Sequence, residues 1–184
     1  MSNADYKRKK LEYSYQLTKN RKFFRKARAI IIENKELLTI EVTYLNGVDD
    51  LARNENRKAI NKHYLLPGGG IDDGESVKTA VVREAFEEYG LEVKPLQYLG
   101  RQYYNVPMNL DGEDFISHRV EYYYLCTPVS AEASSQFGIE DEFTDKNKVY
   151  KKVRLSYHDV KALNHADIND MNEDVYNQLL NYLK

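Results

Sequence analysis

The sequence lacks the features of secreted, membrane-bound and nucleic-acid-binding proteins. Cys126 is the only cysteine, so no internal disulfide can form, which fits a reducing, cytoplasmic setting. No apolar run approaches the roughly 18 residues of a membrane-spanning helix, and no signal-peptide pattern is present. The formal net charge is only −2, so no overall field recruits nucleic acid or an anionic membrane. We therefore expect a cytoplasmic protein without a membrane partner.

The composition is that of an ordinary globular domain. Hydrophobic residues make up 42% of the chain and charged residues 30%, which favours a folded protein with a packed core over a disordered one. A chain of 184 residues suits one sizeable domain better than two. Residues 1–23 are polar and basic, so we expect an N-terminal arm there, followed by a single domain over residues 24–184.

Periodic patterns predict a mixture of strands and helices. Runs rich in β-branched and aromatic residues predict strands at 29–32, 37–43, 63–66, 96–104, 119–127 and 149–155. The polar stretch "ENKE" predicts a hairpin turn between the first two, and residues 46–62 and 105–117 predict loops. Near the C-terminus, Val175, Leu179 and Leu183 recur at helical spacing, which predicts an amphipathic helix packed on a core.

A short helix carries three glutamates on one side. Ser76 is a typical N-cap and Gly90 a typical C-terminal residue, and between them Glu84, Glu87 and Glu88 stand at i, i+3 and i+4. Like charges one turn apart, near the negative end of the helix dipole, destabilise an isolated helix. A divalent cation with oxygen preference, Mg²⁺ or Mn²⁺, would reverse both effects. From the helix alone, a solvated acidic helix end remains an alternative.

The other side of this helix predicts contact with a core. Val81, Val82, Ala85 and Phe86 fall on that side at about 100° per residue. Arg83 precedes Glu87 by one turn and can pair with it.

A glycine run precedes the helix. Pro67 ends a strand, and Gly68, Gly69 and Gly70 form a loop without side chains, which lets backbone approach a phosphate or a metal closely. The spacing matches neither of the common nucleotide-binding glycine motifs. Loop and helix together predict a metal site beside a phosphate-sized gap, which suits metal-assisted attack of water on a phosphate ester or anhydride.

The stretch resembles the Nudix box of the Nudix hydrolases, G-x5-E-x7-R-E-U-x-E-E-x-G-U, where U is aliphatic. All nine defined positions are filled, which makes the match highly specific. The matching residues are Gly69, Glu75, Arg83, Glu84, Ala85, Glu87, Glu88, Gly90 and Leu91.

The resemblance implies a fold, a reaction and a set of residue roles. The fold would be an α/β/α sandwich around a mixed β-sheet, within the α/β class. The reaction would be hydrolysis of a nucleoside diphosphate linked to another moiety X, with Mg²⁺ or Mn²⁺ as cofactor. The implied metal ligands are Glu84, Glu87, Glu88 and the Gly68 carbonyl. The implied structural residues of the box are Gly69, Glu75 and Gly90, and Arg83 would orient the box beside them.

Two further roles stay open in the sequence. The candidates for the general base are the box glutamates and, in a later acidic loop, Glu140 and Glu142. Arg28, Arg101 and Arg119 are candidates for contacts to substrate phosphates, and Tyr103 for stacking on a base. Surface ion pairs and ordinary packing are the alternatives for these four residues.

We expect the substrate to be a small nucleotide, and the sequence contains only weak evidence of which nucleotide it is. Pro107 stands about sixteen positions beyond the box, where it resembles a mark of ADP-ribose pyrophosphatases. This slightly favours ADP-ribose or a nucleotide sugar over a dNTP or a dinucleoside polyphosphate. A nucleotide sensor without activity and an RNA 5′-end pyrophosphohydrolase are the alternative functions, and a homodimer is a possible assembly.

Overall fold

The structure, a computed structural model, describes residues 21–45, 62–110, 113–129, 148–169 and 171–184. Six strands form one sheet in the order β3-β2-β1-β5-β4, and β6 pairs with β2. The strands are β1 (Arg21–Glu33), β2 (Glu36–Tyr44), β3 (Lys62–Leu65), β4 (Val93–Leu110), β5 (Glu113–Pro128) and β6 (Lys148–Leu155). The β1–β5 pair is parallel and the other pairs are antiparallel, so the sheet is mixed, as predicted.

The predicted hairpin at the start of the domain is confirmed. The turn between β1 and β2 contains Asn34 and Lys35, whose φ angles of 53° and 63° are those of a tight turn that matches the twist of paired strands. The turn is therefore shorter than the predicted "ENKE". β1 begins at Arg21, three residues before the boundary predicted between arm and domain, and that division of the chain stays a prediction.

The predicted loop at residues 105–117 is wrong for most of its length. β4 runs on to Leu110 and β5 begins at Glu113, and the two strands pair along this stretch, with Val106 opposite Ser117. The residues are poor strand formers, but pairing with a neighbouring strand outweighs such weak preferences. Pro107 fits because β4 is an edge strand of the sheet, where a missing N–H donor costs little.

Helices cover both faces of the sheet. On one face lies α1 (Val77–Tyr89), and on the other lie α2 (Tyr157–Ala162) and α3 (Glu173–Leu183). Two buried clusters follow from this division: one joins α1 to the sheet, and the other joins α2 and α3 to it. The predicted α/β/α sandwich is confirmed. Among the described residues, no helix has the length and apolar character needed to span a bilayer.

The packing of the helices partly follows the predicted pattern. In α3, Val175, Leu179 and Leu183 are all buried, as predicted. In α1, Val81 and Ala85 are buried as expected, but the Phe86 prediction is wrong, since its side chain is 43% exposed.

The buried side of α1 is rotated relative to the prediction. It includes Val81, Ala85 and Tyr89, spaced four residues apart, together with Glu84. Phe86 is one residue, or about 100°, beyond the centre of that side.

Candidate active site

The helix that carries the glutamates is fixed at both ends. The Ser76 side chain accepts a hydrogen bond from the Thr79 N–H at 3.1 Å, and Gly90 ends the helix in the left-handed conformation with φ of 70°. Both capping predictions are confirmed. Lys152 from β6 donates to the Tyr89 carbonyl at 3.0 Å. This places a positive charge at the negative end of the helix dipole, where it offsets the unfavourable carboxylates of the last turn.

The glycine loop lies along β1 as a short antiparallel extension of the sheet. The Ala29 N–H donates to the Pro67 carbonyl at 2.8 Å, and the Ala27 N–H to the Gly69 carbonyl at 3.0 Å. A Cβ atom at Gly68 would lie 2.0 Å from the Ala27 carbonyl oxygen, and the φ angle of Gly68 is +152°. No other residue satisfies both conditions without moving the backbone.

Gly69 brings the loop backbone against a buried carboxylate. The Glu84 side chain is almost fully buried, and a Cβ atom at Gly69 would lie 2.5 and 2.7 Å from its two carboxylate oxygens. Burial of a carboxylate is costly unless it is paired or bound to a metal. The loop and the helix therefore meet at Glu84, with only glycine small enough to stand between them.

Arg83 connects the loop to the helix. Its Nε and Nη2 atoms donate to the two oxygens of Glu75 at 3.1 and 3.0 Å, and Nη2 also donates to the Gly70 carbonyl at 2.8 Å. Its Nη1 atom donates to Glu84 at 2.8 Å and to Glu87 at 2.9 Å. The hydrogen bonds from Arg83 hold the pKa of Glu75 below its usual range, so this carboxylate is ionised when it orients Arg83.

Glu88 is held by the loop itself. Its carboxylate accepts a hydrogen bond from the Gly68 N–H at 2.7 Å. Gly68 therefore donates its N–H, which belongs to the Pro67–Gly68 peptide, to a box glutamate. Its carbonyl, which belongs to the Gly68–Gly69 peptide, accepts a hydrogen bond from Arg28 Nη1.

The donor set suits a hard divalent cation. Glu84, Glu87 and Glu88 supply carboxylate oxygens and the adjoining loop supplies carbonyls, and oxygen ligands of this kind suit Mg²⁺ and Mn²⁺. As the side chains stand, no three or more His, Cys, Asp or Glu residues of the described ranges surround a common point. A guanidinium nitrogen of Arg83 instead lies between Glu84 and Glu87.

A buried polar network lies on the opposite face of β1. Arg28 Nε and Nη2 donate to the two oxygens of Glu121 at 3.2 and 3.0 Å, and the Glu121 side chain is only 1% exposed. Burial opposes ionisation of Glu121, but the charge and hydrogen bonds of Arg28 outweigh it and lower the pKa of Glu121. Tyr104 and Tyr123 donate to the same carboxylate at 2.5 and 3.3 Å.

The four candidate substrate-binding residues lie on two faces of the sheet. Arg101 and Tyr103 of β4 are exposed on the α1 face, with the guanidinium 4.9 Å from the ring centre. Arg28 and Arg119 lie on the α3 face, where Arg119 Nε donates to Ser117 Oγ at 3.0 Å. Alternation of side chains along a strand separates the two pairs.

Sequence reasoning missed Lys26. It follows the β1 alternation that also carries Arg28, so both side chains lie on the same face. Burial, and then the charges of Arg28 and Arg119, lower the pKa of Lys26. Lys26 and Arg28 are two basic residues at i and i+2 just before the strand predicted at 29–32, and this spacing is the signal that could have found Lys26. Glu140 and Glu142, the candidate bases, lie outside the described residues.

Comparison with known proteins identifies the family of the chain and bears on its fold. A family model described as the NUDIX domain matches residues 24–176. The fold is similar to that of a MutT Nudix hydrolase from Burkholderia pseudomallei, with 17% identity, a TM-score of 0.51, and coverage of 89% of this chain and 99% of that one.

Two further solved structures show the same kind of likeness. A Nudix hydrolase from Nitrosomonas europaea has 18% identity and a TM-score of 0.49, with 88% of each chain covered. An ADP-ribose pyrophosphatase from Streptococcus suis has 20% identity and a TM-score of 0.43, with 87% of this chain and 89% of that one covered. Since the family model matches most of the sequence, the chain belongs to the Nudix family of hydrolases, enzymes that act on pyrophosphate bonds.

Proposed function

We propose that this chain is a metal-dependent hydrolase that cleaves the diphosphate linkage of a nucleoside diphosphate joined to another moiety. Family membership supplies the reaction class. The observation that carries the proposal is the closure of the glycine loop on α1, where Gly69 lies against the Glu84 carboxylate and the Gly68 N–H binds Glu88. This arrangement concentrates carboxylate oxygens beside the loop backbone, as a cation bound to a diphosphate requires.

The metal site of the proposal consists of residues on α1 and in the loop. Nudix hydrolases generally use divalent metal ions, and Glu84, Glu87, Glu88 and the Gly68 carbonyl would hold Mg²⁺ or Mn²⁺ here. When bound, such an ion neutralises charge on the diphosphate and makes a nearby water more acidic. Glu84 is buried and paired with Arg83, and the ion would add a second positive charge beside this carboxylate.

The remaining residues orient the site and move a proton. Arg83 and Glu75 keep the loop at its present distance from α1. Arg83 donates hydrogen bonds to the Gly70 carbonyl and to the two oxygens of the Glu75 carboxylate. A carboxylate accepts the proton of the attacking water, and water attacks phosphorus opposite the leaving oxygen. That carboxylate is a box glutamate or one of Glu140 and Glu142.

Basic side chains on the α3 face are suited to substrate phosphates. Burial lowers the pKa of Lys26, and the positive charges of Arg28 and Arg119 lower it further. A cluster of like charges that an anion would neutralise is a common sign of a functional site. Arg101 and Tyr103, on the other face, remain candidates for a more distant part of the substrate, and Pro107 slightly favours ADP-ribose or a nucleotide sugar.

The test is a hydrolysis panel with Mg²⁺ and with Mn²⁺. It compares ADP-ribose, nucleotide sugars, dNTPs, dinucleoside polyphosphates and capped RNA by product identity. Glu88→Gln should lower turnover at least about 100-fold, because a metal ligand and its charge are lost. Its fold should be unchanged, since the new amide oxygen can still accept from the Gly68 N–H.

Glu92→Gln is the matched control. It makes the same chemical change at an exposed position just after α1, so its turnover should equal that of the wild type. Near-normal turnover of Glu88→Gln with Mg²⁺ would contradict the metal assignment. Binding of nucleotides without any cleavage would replace the hydrolase proposal by the nucleotide sensor.

A further inference from the structure

A ring of buried and half-buried polar groups surrounds the start of the glycine loop. Asn169, in the turn before α3, accepts a hydrogen bond from the Leu66 N–H at 3.3 Å through Oδ1 and donates to Glu121 at 2.9 Å through Nδ2. Glu121 binds Arg28, and Arg28 Nη1 donates to the Leu66 carbonyl at 3.4 Å and to the Gly68 carbonyl. The ring thus begins and ends on the same loop.

The members of this ring come from distant parts of the chain. Arg28 and Glu121 are 93 positions apart, and Leu66 and Asn169 are 103 positions apart. The Asn169 backbone is itself tied to β3, since its N–H donates to the Tyr64 carbonyl at 2.8 Å. Strands β1, β3 and β5 and the turn before α3 are therefore joined at one point, directly behind Gly68.

General stability does not explain a buried ion pair. The desolvation of two charges offsets most of their attraction, and apolar residues of similar volume often stabilise a core equally well. Such groups are more useful where a defined geometry is needed. Here Arg28 and the Asn169 side chain form hydrogen bonds with the backbone of Leu66 or Gly68. The two tyrosines donate to the Glu121 carboxylate, which in turn holds Arg28.

Arg28 has little capacity left for a ligand. Its guanidinium has five N–H donors, and four of them are directed at Glu121, Leu66 and Gly68. Its side chain is 11% exposed. A phosphate group could reach it only by breaking the ring.

We propose that Arg28, Glu121 and Asn169 are positioning residues, which set the orientation of the Gly68–Gly69 peptide and of the Gly68 carbonyl that it contains, and that Arg28 does not bind substrate. This inference rests on the proposed function, in which the Gly68 carbonyl holds the metal and the Gly68 N–H holds Glu88. A carbonyl has two lone pairs, so the bond from Arg28 leaves one available. Loss of the ring would allow the peptide to rotate and would weaken the metal site.

The variant that tests this is Asn169→Gly. Asn169 has a φ angle of +53°, a conformation that glycine adopts without strain, so the change deletes both ring contacts and keeps the turn. Asn34→Gly is the matched control, since Asn34 has the same φ angle of +53° and lies in the exposed β1–β2 turn. Glu121→Gln changes the residue that joins Arg28 to Asn169, but it also leaves Arg28 without its counter-charge. It therefore serves as a secondary variant.

The readout is binding of Mn²⁺ alone, measured from the electron paramagnetic resonance signal of the free ion in the absence of nucleotide. Asn169→Gly should bind Mn²⁺ roughly ten-fold more weakly than the wild type, as removal of groups that orient metal ligands commonly does. Asn34→Gly should bind as the wild type does. Circular dichroism at the temperature of the titration confirms that each variant is folded.

The other outcomes distinguish an error in the positioning role from an error in the proposed metal site. If the wild type and Asn169→Gly bind Mn²⁺ equally, the positioning role is wrong while the proposed metal site stands. If the wild type binds no Mn²⁺, the metal site itself is wrong and the positioning role is withdrawn with it.

Discussion

Arg83 shows how a single residue can serve both the fold and the site. It donates to the carboxylates of Glu75, Glu84 and Glu87 and to the Gly70 carbonyl. A planar guanidinium can donate in these several directions at once, whereas an ammonium group is a compact point charge on a flexible stem. The identity of this residue therefore matters beyond its charge.

We expect Arg83→Lys to destabilise the protein by about 1–2 kcal/mol, because several charge-assisted hydrogen bonds are lost from a partly buried side chain. Urea unfolding measures the change. Arg154→Lys is the control, since Arg154 pairs with Glu33 and Glu36 from a more exposed position. It should cost less than about 0.5 kcal/mol. Equal effects of the two substitutions would contradict a special role of Arg83.

At the scale of elements, neighbouring atoms constrain the backbone of the glycine loop. Gly68 lies against the β1 backbone and Gly69 against the Glu84 carboxylate, whereas a Cβ atom at Gly70 would meet nothing within 4 Å. Three consecutive glycines thus have three different environments. The sequence shows only that all three lack a side chain.

Gly68→Ala should therefore cost about 2–3 kcal/mol of unfolding free energy, because the new methyl group clashes with β1 and the backbone angle is strained. Gly70→Ala should be close to neutral in the same urea titration. If the two variants were equally stable, the close approach of the loop to β1 would be wrong.

The β4–β5 hairpin shows where local patterns fail within an element. Residues 105–117 contain proline, asparagine, aspartate and glycine, which predict a loop when they are considered alone. In the structure, residues 105–110 of β4 and 113–117 of β5 pair with each other, and β1 also pairs with Ile116 and Ser117 of β5. Strand formation depends on such partners more than on intrinsic preference.

At the scale of the whole molecule, stability depends on buried charge. The pKa of Glu121 is lowered because the charge and hydrogen bonds of Arg28 outweigh the effect of burial, and the pKa of Glu75 is lowered by its hydrogen bonds to Arg83. A lowered pKa in the folded state means that the unfolded chain binds protons more readily in acid. The stabilisation from both groups is present above their ordinary value of 4.5 and is lost as the pH falls through the lowered values.

We therefore expect the unfolding free energy to change little between about pH 5 and 7 and to fall steeply below about pH 4. Urea unfolding at a series of pH values measures this. Glu75→Gln should reduce the acid dependence, because one of the two titrating groups is removed. An unchanged slope in that variant would contradict the assignment of Glu75. The assembly state of the molecule stays a prediction, with a homodimer as one possibility.

The sequence predicted the contacts of some residues in the candidate site and not those of others. Ser76, Gly90 and the Arg83–Glu87 pair follow from spacing along one helix, where each partner is within four positions of the other. The burial of Glu84 depends on where the loop lies, and Arg28 has its partner 93 positions away. Nothing near Arg28 in the sequence distinguishes a substrate ligand from a buried ion pair.

The sequence by itself determined the box spacing, the caps of α1, the amphipathic side of α3 and the presence of a mixed α/β domain. These features arise from hydrogen bonds and side-chain periodicity between residues a few positions apart. Only the tertiary structure decided which strand pairs with which, that residues 105–110 and 113–117 are strand, that Phe86 is exposed, and that Lys26 and Arg28 lie behind the glycine loop. These depend on contacts between residues far apart in the chain, which a local pattern does not record.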